Sequence, residues 1–374
     1  MGPACAGTIP LSSAGSAHFS GDRASGRAFV LAVIATSLLA AGLSAWVTSL
    51  PSAKPDFAIL WGAMQVDSPY DPAAVASYLG WGPEDPPATF VYAPSAVPIF
   101  AILGQFSLGL AITLWAALSG AALALSSRSS WAPLLLLTPA VLWALPGGQT
   151  TVMMGALAFG GLQLLHRPAL AGVLFGLALS LKPQLVILIP LALLVRRQWD
   201  VLLAAGITFA IMALISALLV GPELWRTWLQ SLPEFLSLHE SNAALRRNEI
   251  AFGLPAWVRA LALLGGLLLT VRALHRRNLV EAFVAAVGCS LIISPHAMGY
   301  EFAALSPAYI WLIAQRGWSA SAVLLFILTP VFIWAYGDVI LPYMPRLIAL
   351  VLIIVATVAD SELRRKERHV PAHA

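Results

Sequence analysis

Charge is what this sequence has least of. Only 10% of its 374 residues are Asp, Glu, Lys or Arg, and 59% are apolar; soluble domains carry about 25% charged residues. A globular fold of this length could not cover its surface with so few charges, so lipid is the solvent for most of the chain, in keeping with a mean hydropathy of +0.84. That excludes a cytosolic enzyme and a nucleic-acid partner. Cysteine is scarce as well: Cys5 and Cys289 are the two present, one in a polar leader and one in an apolar run. Neither a disulfide scaffold nor a zinc site can be built from them. The net charge of +4 comes from arginines in short gaps between apolar runs, which is a topology signal and not a polyanion site.

What is present is a series of apolar segments. Residues 1–27 read as a small, polar, disordered leader. Ala28 to Leu50 then gives 23 apolar-rich residues, enough to cross a bilayer, which takes about 20. The sequence SLPSAKP at 49–55 resembles a signal-peptide cleavage site, but the apolar run is too long for a signal peptide and reads as a retained first span. Further segments run near 95–125, 131–146, 149–165, 169–195, 200–220, 257–271, 279–295, 299–314, 318–336 and 340–359. Together they predict one all-α integral membrane domain over 28–359 with about 10–12 membrane segments, followed by a basic tail at 360–374.

With both termini cytoplasmic, fourteen Lys and Arg fall on the cytoplasmic side and six outside, the bias expected of a multi-pass protein in a plasma (inner) membrane. The count requires 169–195 to enter and leave on one side. Lys182-Pro183 breaks it into halves of about 13 residues, each roughly 20 Å as helix, short of the approximately 30 Å hydrocarbon core. Two connections are long, 51–93 and 221–256, and eleven of the seventeen acids lie on their face. Long connections in a compact protein are usually functional, so chemistry is expected on the outer face.

Asp56 begins a stretch in which Phe57, Leu60, Trp61 and Met64 share one helical face. An interfacial helix with Asp56 at its N-terminus would favour the ionised carboxylate; the residue fits either an N-cap or a base. Asp67 and Asp71 flank Pro69 and Pro72 and read as turn residues. Lys182 inside an apolar run is costly and either lines a cavity or finds a structural partner. Gln149, after Gly147-Gly148, fits a ligand contact or a hydrogen bond to a neighbouring helix. His296 fits a packed or a ligand-binding histidine. Arg246 and Arg247 fit an anion contact or solvated loop charges. The thirteen tryptophans are mostly explained by an aromatic belt at the membrane interfaces.

Several segments recur in the order of a known family: Asp56-Phe57, Pro69-Tyr70, Tyr92-Ala93-Pro94, Gly148-Gln149, Lys182-Pro183 and a later SPHAMGYEF at 294–302. They resemble the marks of glycosyltransferase family 87, a branch of the GT-C integral-membrane glycosyltransferases, over roughly residues 28–315. The resemblance implies a GT-C-like helical bundle. It further implies transfer of a monosaccharide, often mannose, from a polyprenyl-phosphate donor to a glycolipid or wall-glycan acceptor. Asp56 is then the catalytic base, and Lys182, Gln149, Tyr92, His296, Tyr70, Arg246 and Arg247 become substrate-binding candidates. The later motif carries Glu301 where an Asp is common, and no role transfers to it.

Such a reaction needs one carboxylate to take the acceptor's proton and fixed positive charge for the departing phosphate. No Asp-x-Asp pair, the usual handle for a metal-bound nucleotide diphosphate, occurs in the chain, so no metal or other cofactor is expected. A multi-span transporter or flippase would also use broken helices and an intramembrane lysine, but a second Lys-Pro elbow is missing. A GT-C-like partner without activity is the remaining alternative.

Overall fold

A computed structural model describes residues 23–50, 53–85, 87–241, 249–251, 253–316, 348 and 350–359. The described residues form helices joined by short connections, with a single β-bridge between Glu249 and Met298 and no strand. Four helices are long and apolar enough to cross a bilayer: the first (α1, Arg23–Thr48), Leu108–Ser127 (α5), Trp199–Val220 (α11) and Ala256–His275 (α13). α1 begins at Arg23, within the leader assigned from sequence.

The solvent these helices require is written on their exposed faces. Leu203, Ile207, Ile211, Leu214 and Leu218 form one stripe of α11 and are 50–78% exposed; Trp257, Leu261, Leu264 and Leu268 repeat the pattern on α13. In water such patches would drive aggregation. Against lipid tails, which are as apolar as leucine, they cost nothing.

Proline opens many of the elements. Pro72, Pro139, Pro168 and Pro183 stand at the first position of α3 (Pro72–Leu79), α6 (Pro139–Ala144), α8 (Pro168–Leu181) and α9 (Pro183–Val186). There the missing N–H costs no hydrogen bond. Asp71 caps α3 by accepting from the Ala73 N–H at 2.9 Å, and left-handed Gly80 ends it.

The Lys182-Pro183 break is where the sequence puts it. The second half is itself divided, into α9 and α10 (Leu188–Val195). Other expected spans are less regular. Segment 95–125 divides into α4 (Val97–Leu103) and α5. The carbonyls freed between them are met by two side chains of the 51–93 connection: Trp61 Nε1 donates to Phe106 O at 2.9 Å and Gln65 Nε2 to Gly104 O at 2.9 Å. Segment 131–146 becomes a 3-10 stretch, Ala132–Leu137, and the short α6. Segment 299–314 becomes a 3-10 stretch, Gly299–Leu305, and α15 (Ser306–Arg316). Segment 318–336 and the first part of 340–359 lie outside the described residues; the latter ends in α16 (Leu350–Ala359).

Two apolar cores result. The larger surrounds α7 (Thr151–Gln163) and α14 (Leu279–Ile293). α14 is buried on all sides from Val280 to Ile292 and holds Cys289 as a free buried thiol; it starts with Asn278 capping the Glu281 N–H. The smaller core is aromatic and folds the 51–93 connection onto α4 and α5. Phe57 packs on Phe100 and Trp115, Phe90 on Tyr92, and Tyr92 on Phe100, with centroids 5.5–6.4 Å apart. The connection is thus a folded cap with its own core, containing α2 (Asp56–Ala63) and α3. The second long connection carries α12 (Glu223–Ser241), anchored where Trp228 Nε1 donates to Val91 O at 3.2 Å.

Candidate active site at the Lys182 elbow

A cavity of about 350 Å³ opens where both connections meet the broken hairpin. Its walls include Asp56, Tyr92, Gln149, Lys182, His296 and Glu301. Five of the eight residues singled out from the sequence are therefore neighbours in space, although they span residues 56 to 296.

Lys182 ends α8 and starts α9, with φ −146° and ψ 79°. Pro183 disfavours helix at the residue before it, so the chain turns and the side chain leaves the helix surface. Its Nζ meets Glu301 Oε1 at 2.6 Å and Thr151 Oγ1 at 3.3 Å. Thr151 also donates to Glu301 Oε2. The Tyr92 and Tyr300 rings flank the ammonium, each centroid 5.6 Å away. Both partners of the ion pair are buried, with side chains 9% and 4% exposed. A charge pair this deep is stable only with its remaining hydrogen bonds satisfied, and Thr151 supplies one. Glu301 arrives because α7 and the 3-10 stretch touch: a Cβ on Gly155 would stand 2.2 Å from Ala304 O, so only glycine fits between them.

Asp56 lines the same cavity. It is the first residue of α2, behind Pro55, and Phe57 N donates to Gly147 O at 3.0 Å. Gly148 has φ +69°, and a Cβ there would fall 2.5 Å from Phe57 Cβ. This turn therefore demands glycine for conformation and for space, and it delivers Gln149, whose Nε2 donates to Asp56 Oδ2. The Asp56 carboxyl keeps accessible surface because cavities adjoin it, while protein surrounds it in depth. Burial consequently holds its pKa above the ordinary 3.8; Lys182 pulls it down in part and Glu301 adds to the rise.

Tyr92 hydrogen-bonds Thr150 Oγ1 through its hydroxyl at 2.9 Å. Tyr70 is not in the cavity wall. It lies behind Tyr92, packed on Phe90 at 5.3 Å, with its hydroxyl donating to Tyr92 O at 2.7 Å. Arg246 and Arg247 lie outside the described residues.

His296 closes the far wall. Its Nδ1 is 3.0 Å from Glu249 Oε1, and the Phe235 ring of α12 meets it edge-on at 4.9 Å. Burial pushes the imidazole down to about 4, with Glu301 opposing and Lys182 reinforcing the shift; the ring is neutral at physiological pH. Arg259 fixes this wall: Nη1 donates to Ile293 O and Ser294 O at 2.9 and 2.6 Å, and Nη2 to Ala251 O at 3.0 Å.

Among the described residues, no three His, Cys, Asp or Glu side chains stand close enough to hold a metal ion. The arrangement offers a carboxylate and a buried cation on the wall of one cavity, with hydroxyl and amide groups beside them. It can take a proton from a hydroxyl and hold an anion.

The model of glycosyltransferase family 87 matches residues 90–295, more than half of the chain. The chain belongs to glycosyltransferase family 87. Neither the curated proteins nor the solved structures compared with it include a match. Family 87 membership makes the protein a membrane glycosyltransferase, and the matched span holds Tyr92, Gln149 and Lys182. It begins after Asp56 and ends just before His296, so the match covers neither of those two.

Sequence reasoning gave no role to Thr151, Glu301, Tyr300 or Glu249. A signal existed for Glu301: a lysine in an apolar run needs a counter-ion, and Glu301 is a carboxylate in another apolar stretch.

Proposed function

We propose that this family 87 glycosyltransferase moves a monosaccharide, with mannose the expected sugar, from a polyprenyl-phosphate donor to a hydroxyl of a glycolipid or wall-glycan acceptor. Asp56 acts as the base. The observation that carries the reading is one cavity lined by both an open carboxylate and a buried lysine.

In this reaction the acceptor O–H gives its proton to the Asp56 oxygen that Gln149 leaves free. The hydroxyl oxygen bonds to the anomeric carbon as the bond from that carbon to the phosphate oxygen breaks. The phosphate leaves with its electron pair and needs no protonation at neutral pH. Its charge develops near Lys182, where a preoriented cation stabilises the transition state. Glu301 and Thr151 hold the ammonium in place beforehand. The neutral His296 offers hydrogen bonding on the same wall without adding charge.

The positive-inside count supports an outer-face reaction in the plasma membrane, with the 51–93 and 221–256 connections on that face. The test is to incubate purified protein with radiolabelled polyprenyl-phosphate sugars and a mixture of lipid and glycan acceptors. Wild type should yield labelled acceptor and Asp56→Asn should not; equal product from both would eliminate the base assignment.

A further inference from the structure

A second cavity, of about 290 Å³, lies beside the first, between the last turn of α1 and the loop that follows α6. Asp56, Trp143 and Gln149 line both cavities. The hydrogen-bonded Asp56–Gln149 pair therefore stands where the two spaces adjoin, and the carboxylate can be approached from either.

Their chemistry differs. The first cavity contains the Lys182 ammonium. In the second, Lys54 is the one cation among the wall residues and it is already bonded to Asp85. Val47, Ala53, Pro55, Leu142 and Pro146 make the rest of the wall mostly apolar, and Trp143 is 38% exposed. Both lysines are paired, but the Lys54 side chain is 35% exposed and screened by solvent whereas that of Lys182 is 9% exposed, so a phosphate would find only a screened cation there. A neutral polyol would find an indole face for the C–H side of a pyranose ring, and a carboxylate and an amide for its hydroxyls.

We infer that the second cavity is the acceptor site, which takes a sugar residue whose hydroxyl reaches Asp56 from the side away from Lys182. The inference rests on the donor reading of the first cavity. It divides the substrates by charge: the phosphate-bearing donor goes to the lysine side and the neutral sugar to the α1 side. Val47 lies in the last turn of a membrane-spanning helix, so the sugar can arrive on a lipid or on a free glycan.

Two substitutions fill the second cavity from different walls, Ala53→Trp and Leu142→Trp; neither residue lines the first cavity. The full chain in lipid nanodiscs is titrated with radiolabelled methyl α-mannoside, with a dialkylglycerol α-mannoside and, separately, with polyprenyl phosphate. Each substitution should weaken mannoside binding by about tenfold or more and leave polyprenyl phosphate affinity within about twofold, which also reports a folded protein. Binding of the lipid-borne mannoside alone assigns a membrane-borne acceptor; binding of both admits a free glycan. Unchanged mannoside binding in both variants, parallel loss of both ligands, or no mannoside binding by wild type would overturn the assignment. Lys182→Met separates the two readings. Undiminished polyprenyl phosphate binding in that variant would sink the donor side without altering what the two tryptophan substitutions report.

Discussion

Asp56 and Lys182, which line the same cavity, are held in opposite ways. Lys182 is sealed, with a carboxylate at 2.6 Å, a threonine hydroxyl and two flanking aromatic rings. Asp56 has one neutral partner, the Gln149 amide, and surface open to two cavities. The fold has already met the cost of burying the cation. It has left the carboxylate with an unsatisfied oxygen, which is the condition for taking a proton. A fixed charge is useful where phosphate charge develops, and an unsatisfied acceptor is useful where a proton must move.

Asp56→Asn tests the open half with the largest effect. It keeps the shape and removes the acceptor, so transfer should fall by about 10²–10⁴-fold while the chain stays folded by size-exclusion and circular dichroism. Lys182→Ala tests the sealed half. It strands Glu301, and breaking a buried pair costs about 3–5 kcal/mol; thermal stability in detergent should drop along with donor affinity, more than acceptor affinity. Lys182→Met combined with Glu301→Gln should recover the stability and not the donor affinity. Recovery of both would mean that the pair is structural alone.

Gly148→Ala lies between these in effect. It forces a side chain into left-handed backbone and against Phe57, which costs roughly 1–2 kcal/mol for the backbone alone. Transfer should fall by about tenfold through displacement of Gln149 and Asp56, with polyprenyl phosphate binding preserved. Smallest is the effect of pH. Because burial raises the Asp56 pKa above 3.8 and the base works only when ionised, the acid limb of kcat/KM should lie above that value. Gln149→Leu removes a donor to the ionised form, so the limb should move further up. A shift downward would contradict the hydrogen bond's role.

Much of the fold was legible because lipid simplifies the reading. Apolar runs bordered by arginine, such as those expected at 200–220 and 257–271, became the helices Trp199–Val220 and Ala256–His275. The Lys182-Pro183 elbow followed from proline chemistry. The sequence-based spans at 131–146 and 299–314 were less accurate because Pro133, Pro139 and Pro307 interrupt them and 3-10 turns take over. Hydropathy is blind to such breaks. In the site, Asp56, Gln149, Tyr92, Lys182 and His296 were each visible as polar residues beside turns or in apolar stretches. Their partners were harder to see. Glu301 and Thr151 reach Lys182 from segments 119 and 31 residues away, and only the close approach permitted by Gly155 brings the first of them there. Tyr70 was recognisable as part of a motif, but its task of holding the Tyr92 carbonyl depends on a packing arrangement that spacing does not encode.

The most direct measurement of the proton-accepting role is chemical rescue. Asp56→Ala should leave the full-length protein inactive with a radiolabelled polyprenyl-phosphate sugar, and formate should restore part of the transfer whereas formamide, of similar size and without basicity, should not. Equal rescue by both, or a wild-type rate from the unrescued variant, would contradict the account.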